Sequence, residues 1–325
     1  MNLIKTSHLE KGDCIGIVSP SSSIKNFPRR LGRGIKLLKK LGFKVILGHN
    51  AGTPQERAKD INTFFENKKI RAIICTTGGY NSNAILPLLN YSLIRKNPKI
   101  FCGFSDITAL NLAIYKKAGL ITFNGPTVLS TFGEFVEPEF SIRWFKKVLC
   151  ESKPIGRLEH PERYTDEFLL WEEKDNRERK TKIAHKPKFL MHKNISGKLV
   201  GGNLSTLCLL GGTEFFPNFK GTILFLEEDE GSTAEIESKL DYLEQLGVFK
   251  QIKGLIFGRP SRLYINSSRR TLYDILRDFG KKYKISIVTD IDCGHTSPMI
   301  TFPIGIRAYI DGNKEEIHFL SSAVS

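Results

Sequence analysis

The chain has 325 residues, 40% of them hydrophobic and 26% charged, enough to bury a large core and to form two domains. It carries 49 Lys and Arg against 34 Asp and Glu, a formal charge of +15, but these residues are spread along the whole chain; without a basic arm or zinc-finger spacing, nucleic-acid binding is not expected as the main function. No apolar run approaches the roughly 18 residues of a membrane span, and Met1–Glu10 lacks the apolar stretch of a secretory signal, so the expectation is a cytoplasmic protein without a membrane partner.

The first 125 residues alternate strand and helix signals. Cys14–Val18 reads as an apolar strand ended by Ser19-Pro20-Ser21-Ser22-Ser23. Pro28–Leu41 places Leu31, Ile35 and Leu38 on one face and predicts an amphipathic helix, stopped by Gly42. Lys44–Leu47 returns as a strand. Glu56–Asn67 predicts a helix with Ala58, Ile61, Phe64 and Phe65 inward, and Ile70–Cys75 a strand running into Thr76-Thr77-Gly78-Gly79. Asn83–Leu89 reads as helical. The stretch from Lys99 to Thr108 reads as a short apolar strand and a sharp turn. It leads into an amphipathic helix over Ile107–Lys117, and Leu120–Phe123 follows as a strand. Such alternation predicts an α/β fold, a parallel sheet with helices on both faces. Ligands of such sheets bind beyond the carboxyl ends of the strands, where Gly78-Gly79 and Ser105 fall.

From Glu151 to Asn194 the periodicity dissolves. This stretch contains Tyr164–Trp171 and the charged run Glu172–Lys182, and it reads as a linker or a mobile lid. Order resumes near Ile195 with Gly201-Gly202-Asn203-Leu204 and the apolar strand Ile223–Leu226 that ends in Glu227. A helix over Thr233–Leu246, a strand at Gly254–Phe257 and a helix at Thr271–Tyr283 follow. The loop Asp292–Pro298 carries His295. The chain thus divides into 1–150, 151–194 and 195–325.

Ser105 sits where a strand turns into a helix, so helix N–H groups point at its oxygen, and an oxyanion formed there would find donors. A serine hydroxyl is a poor nucleophile near neutral pH. It needs an imidazole to take its proton and a carboxylate to hold the imidazole in the right tautomer. His295 and Glu227 supply those types. Glu227 ends an apolar strand, whereas Glu228, Asp229 and Glu230 are expected to be solvated. Each residue also has a plain structural reading. Ser105 or Asp106 can cap the helix, Glu227 can be a surface residue, and His295 beside Gly294 can be a turn residue. The six cysteines are scattered singly and read as reduced, buried side chains rather than a metal site. No Gly-x-Gly-x-x-Gly is present, so no dinucleotide cofactor is expected.

The motifs in order resemble a family of serine peptidases that contains bacterial LD-carboxypeptidases and microcin C immunity proteins. The landmarks are Lys11–Ser22, Arg57-Ala58 through Gly78-Gly79-Tyr80-Asn81, and Gly103-Phe104-Ser105-Asp106-Ile107-Thr108. Gly201-Gly202-Asn203-Leu204, Leu224–Glu228 and Gly294-His295 with Phe302-Pro303-Ile304-Gly305 complete them. The resemblance implies an N-terminal Rossmann-like domain and a C-terminal α/β domain with the active site between them. It implies Ser105 as nucleophile, His295 as base and Glu227 as orienting acid, with the N–H groups of Gly79 and Asp106 as oxyanion hole. Gly78, Asn203 and Trp171 become candidate substrate contacts. It further implies no metal or cofactor and a homodimer. Tyr164-Thr165-Asp166-Glu167 followed by Trp171 is similar to the longer substrate loop of the microcin-immunity branch, whose members cleave an amide between an aminoacyl or peptidyl group and a nucleotide-like moiety. The other branch trims the terminal D-residue of murein tetrapeptides. Glu228, where Asp is common, and Asn124, where His is common, depart from the family pattern. A non-catalytic nucleotide or nucleic-acid binder on the same scaffold is the competing class; an ordinary α/β-hydrolase elbow would need glycine where Ile107 stands.

Overall fold

The computed structural model describes residues 3–49, 52–264 and 270–325. Among these, the apolar runs of the first third build a six-stranded sheet. Its order is Phe302–Ile304, Thr122–Asn124, Ile100–Cys102, Ile70–Cys75, Cys14–Val18 and Lys44–Leu47. All neighbours are parallel except the first pair. The strand Phe302–Ile304 therefore arrives from the far end of the chain to close the edge. Helices at Pro28–Lys40 and Pro54–Glu66 match the predicted pair, and a capping box between Thr53 and Glu56 fixes the start of the second. Residues 82–88 form a 3-10 helix, more tightly wound than the α-helix read from sequence.

The helix after Ser105 spans Thr108–Ala118, and it is not amphipathic in its surroundings. Eight of its residues are buried, including Thr108 and Asn111. It packs against Ile195–Asn203 of the second sheet and against Phe302–Ile304, so both sides meet protein. The second sheet has eight strands in the order Gly156–Arg157, Glu316–Phe319, Arg307–Asp311, Ile195–Asn203, Ile223–Glu227, Gly254–Gly258, Ser286–Ile291 and Lys188–Met191. Its four central strands are parallel, so their carboxyl ends share one edge. The chain is thus an α/β protein with two sheets meeting across a buried helix.

Residues 151–194 are more ordered than a linker. Gly156–Arg157 and Lys188–Met191 form the two edges of the second sheet. Arg163–Tyr164 pairs with Lys182–Ile183, and Thr165 exchanges backbone hydrogen bonds of 2.7 and 2.9 Å with Ser297. The charged run folds back onto the helix Pro28–Lys40. Glu172 accepts from the Arg30 backbone N–H at 2.9 Å and from Arg29 Nε at 2.8 Å, satisfying a donor of the helix's first turn. Arg30 is 2% exposed and donates to Leu129 O at 2.8 Å, Glu134 at 2.6 Å and Asp175 at 3.3 Å. Its guanidinium also lies 4.6 Å over the Trp171 ring. Three acids, Glu134, Glu172 and Asp175, thus meet the row Arg29, Arg30 and Arg33 in four ion pairs, and the segment is strapped down at the buried Asp175 while most of its other charges stay exposed.

Removing Arg30 leaves Asp175 and Glu134 short of a buried partner, which costs about 3–5 kcal/mol. Arg30→Met is expected to lose that much in urea unfolding and to speed protease cleavage within residues 166–182. Unchanged stability together with unchanged cleavage would show that the strap does not hold this segment.

Candidate active site

Three side chains predicted from the sequence meet at the junction of the sheets. His295 Nε2 lies 3.0 Å from Ser105 Oγ, and His295 Nδ1 lies 2.6 Å from Glu227 Oε2. Ser105 follows the strand Ile100–Cys102 and holds φ = +64°. That left-handed conformation is strained for a residue with a Cβ, and it turns the hydroxyl out of the chain path towards the imidazole. Glu227 ends the central strand Ile223–Glu227 and is fully buried, so water does not compete for its carboxylate. The arrangement can pass a proton from Ser105 to His295 while Glu227 holds the ring.

The imidazole is held from several directions. The Gly294 backbone packs on Glu227, and a Cβ there would clash with the Glu227 carboxylate and lie 2.7 Å from its Cβ, so only glycine lets the loop approach this closely. Asn124 donates to Cys293 O at 2.8 Å, and the buried pair Arg259–Asp292 closes at 2.7 Å just before it. Phe104 packs edge-on against the His295 ring, with centroids 5.1 Å apart. Asn124 was visible in sequence only as a departure; its role comes from the fold, which brings the carboxyl end of one strand beneath the histidine loop.

Asp106 does not cap the following helix. Its carboxylate accepts from Ser21 Oγ at 2.5 Å and from the Ser82 N–H at 2.9 Å, tying two loops to the turn that carries Ser105. The Asp106 backbone nitrogen lies beside Gly78, where an added Cβ would meet Ser105 Oγ at 3.0 Å and Asp106 N at 3.3 Å. Gly78 and Gly79 both border the cleft above Ser105, and Gly79 has φ = +129°. The cleft holds about 290 Å³, near the lower end for small-ligand sites. Trp171 and Phe168 line it, with Glu134, Asp166, Glu167 and Arg179 from the strap and loop, and Asp229 and Arg262 opposite. Trp171 is half-buried, with Phe27 edge-on at 5.2 Å. It therefore anchors the loop and also faces the cleft.

Asn203 lies elsewhere. It is 5% exposed, caps the helix Leu204–Leu209 by accepting from Thr206 N, donates to Glu228 at 3.2 Å, and is absent from the cleft wall. Glu228 is buried rather than solvated, held by Ser205 Oγ at 2.6 Å and Lys239 at 3.0 Å. Consecutive side chains at a strand end point to opposite faces: Glu227 is covered by the Gly294-His295 loop and Glu228 by the helices that carry Ser205 and Lys239. Of the acidic run, Asp229 and Glu230 keep solvent-exposed side chains, at 33% and 70%. Two further side chains of the cleft wall are Asp229, which reaches within 4.0 Å of His295 Nε2, and Arg262. Neither sits in a motif that would have marked it. No group of three or more metal-ligating side chains clusters among the described residues, and no helix there is long and apolar enough to cross a membrane.

Residues 15–125 match the family description "LD-carboxypeptidase N-terminal domain", and residues 196–310 match "LD-carboxypeptidase C-terminal domain". The chain is 34% identical to the microcin C7 self-immunity protein MccF of Escherichia coli, over 98% of this chain and 96% of that one. It is 29% identical to a probable murein peptide carboxypeptidase of Bacillus subtilis, over 94% and 90% of the two chains. A solved structure of the microcin C7 self-immunity protein with aspartyl sulfamoyl adenosine superposes with a TM-score of 0.93 at 33% identity, covering 99% of this chain and 100% of that one.

Burial of His295 opposes charging of its ring, but Glu227, by charge and hydrogen bond, outweighs it. Asp229 and Glu228 add to the effect, and the pKa is pushed up to about 9. The imidazolium is thus favoured in the folded state. Its contribution to stability is present in full below about 6.5, the unfolded value, and is lost as pH rises through about 9. A base must be neutral to accept a proton, so the acid limb of kcat/KM is expected well above 6.5, towards 9. Glu227→Gln removes the largest charge and is expected to move that limb down towards 6.5. An NMR titration of the imidazole reads the same shift without turnover. A wild-type midpoint at or below 6.5, or one unmoved by Glu227→Gln, would contradict this electrostatic account.

Proposed function

The chain belongs to the LD-carboxypeptidase family of serine peptidases, and from that premise we propose that it hydrolyses an amide between an aminoacyl or peptidyl carbonyl and a nucleotide-like leaving group. The observation that carries the reading is the hydrogen-bonded series Ser105–His295–Glu227 at the foot of a cleft walled by Trp171. Ser105 Oγ attacks the carbonyl carbon as its proton passes to His295 Nε2. Glu227 holds the ring and offsets the imidazolium charge. The N–H groups of Gly79 and Asp106 take the oxyanion. His295 then returns the proton to the leaving nitrogen, the C–N bond breaks, and an acyl ester on Ser105 remains. A water attacks that ester by the same steps, releasing the acid and restoring Ser105.

In this reading Gly78 lets the substrate carbonyl come close to Ser105, and Trp171 offers a flat apolar face to a nucleobase. Asn203 is a positioning residue, linking the helix after Ile195–Asn203 to the end of the strand that bears Glu227. The segments 1–150 and 195–325 act as the domains that bring nucleophile and acid–base pair together, and residues 151–194 supply the substrate wall. The reaction requires no metal. The working form is taken as a cytoplasmic homodimer. Support for a nucleotide-like leaving group comes from the aspartyl sulfamoyl adenosine bound to the similar MccF structure and from the aromatic wall of this cleft.

The test is turnover of aspartyl sulfamoyl adenosine beside a murein tetrapeptide. Cleavage of the adenosine compound is expected. Base stacking is worth about 1–3 kcal/mol, so Trp171→Ala should lower kcat/KM on that substrate roughly 5- to 150-fold and affect a peptide without a base far less. Equal losses on both substrates would assign Trp171 to loop anchoring alone. Cleavage of the murein peptide alone would place the enzyme with the carboxypeptidase branch.

A further inference from the structure

One carboxylate in the cleft has no task in the proposed hydrolysis. Asp229 is one-third exposed, and its Oδ2 lies 4.0 Å from His295 Nε2, the nitrogen that faces Ser105. The other carboxylates on the wall are committed elsewhere. Glu134 pairs with Arg30 and Arg179, Asp166 with Lys182, and Glu167 with Arg177. Asp229 accepts from Arg262 at 2.6 Å. Arg262 also reaches Glu230 at 3.5 Å, and its guanidinium lies 5.4 Å from the centre of the Phe168 ring. It therefore keeps partners when it lets Asp229 go.

The geometry points to Asp229 as the anchor for the substrate's α-ammonium group, so that of the aminoacyl and peptidyl compounds named above the enzyme favours the aminoacyl ones, whose amine beside the scissile carbonyl is free. The inference rests on the reading of Ser105 as nucleophile and of aminoacyl compounds as substrates, and it adds which atoms of the acyl part are read. The carbonyl under attack must lie against Ser105 Oγ. Its α-nitrogen is only two bonds away and falls in the small region shared by Ser105, His295 and Asp229. A carboxylate there meets an ammonium in a charge-assisted hydrogen bond. An N-acylated substrate brings a neutral, bulkier group to the same place and leaves Asp229 without that charge partner.

The electrostatics of His295 agree with this placement. The carboxylates of Glu227, Asp229 and Glu228 favour its charged form, which cannot accept a proton. Arg262 is the cation paired with Asp229 on this side. A substrate ammonium seated on Asp229 adds positive charge beside the ring and shifts it towards the neutral base as the serine and carbonyl come together.

The experiment compares aspartyl sulfamoyl adenosine with its N-acetyl derivative, using the full-length enzyme and Asp229→Asn, with melting curves to check that the variant folds. The wild type is expected to favour the free amine in kcat/KM roughly 10- to 150-fold, the worth of one hydrogen bond to a charged group. Asp229→Asn should reduce that ratio by a similar factor. A purely structural role would lower both substrates together and leave the ratio alone. A wild-type ratio near one, or a ratio unchanged in Asp229→Asn, overturns the inference and leaves the hydrolase reading standing. Turnover of neither compound, by an enzyme whose Ser105 still reacts with a serine probe, overturns the aminoacyl-nucleotide reading and this inference with it.

Discussion

The 2.6 Å hydrogen bond between His295 Nδ1 and the buried Glu227 carboxylate is the contact on which the site's geometry depends. Glu227 belongs to the middle of the second sheet. His295 lies on the loop that leaves that sheet at Ile291 and enters the first sheet at Phe302. Ser105 belongs to the first sheet. The position of the imidazole relative to the hydroxyl is therefore set by how the two sheets dock. The Thr108–Ala118 helix fills that joint, and Thr108 Oγ1 accepts from the Asn203 backbone across it. Burying a glutamate is costly unless it is paired. The pairing gives the loop one low-energy position.

A second tier of contacts shapes the cleft. The Thr165–Ser297 backbone exchange ties residues 151–194 to the histidine loop, and the arginine row Arg29, Arg30 and Arg33 ties them to the first helix. The wall of the cleft and the loop that carries His295 are thus one mechanical unit. Arg259 extends it, pairing with Asp292 while its guanidinium lies 4.5 Å from the centre of the Tyr164 ring. The cleft wall and the Ser105–His295–Glu227 geometry share supports, so substitutions in the strap bear on both.

Much of this was legible in the sequence because local signals agreed. The strand–turn–helix around Ser105, the apolar strand ending in Glu227 and the Gly294-His295 turn each imply a location at a strand end, and the fold brings these ends together. Other features carried no local signal. The Thr108–Ala118 helix shows charges only in its last turn, at Lys116 and Lys117, and its burial on both sides is a consequence of the second sheet. The run Glu172–Lys182 has the composition of a solvated loop; only the spatial row Arg29, Arg30 and Arg33 makes Glu172 and Asp175 structural. Glu227, Glu228 and Asp229 are near-identical in sequence terms. Strand alternation, the histidine loop and the neighbouring helices separate them into a buried partner of His295, a buried partner of Lys239 and a cleft carboxylate. The edge strand Phe302–Ile304 joins the first sheet from almost two hundred residues away, a pairing no periodicity encodes.

The central claim is that Ser105 is an activated nucleophile working as one unit with His295. The most direct measurement is labelling by a fluorophosphonate serine probe, with the modified peptide mapped by mass spectrometry. The account expects a single adduct on Ser105, absent in Ser105→Ala and slowed by roughly 10³-fold or more in His295→Ala, with the double variant no worse than Ser105→Ala. An adduct on another serine, or labelling of Ser105 at the same rate without His295, would contradict it.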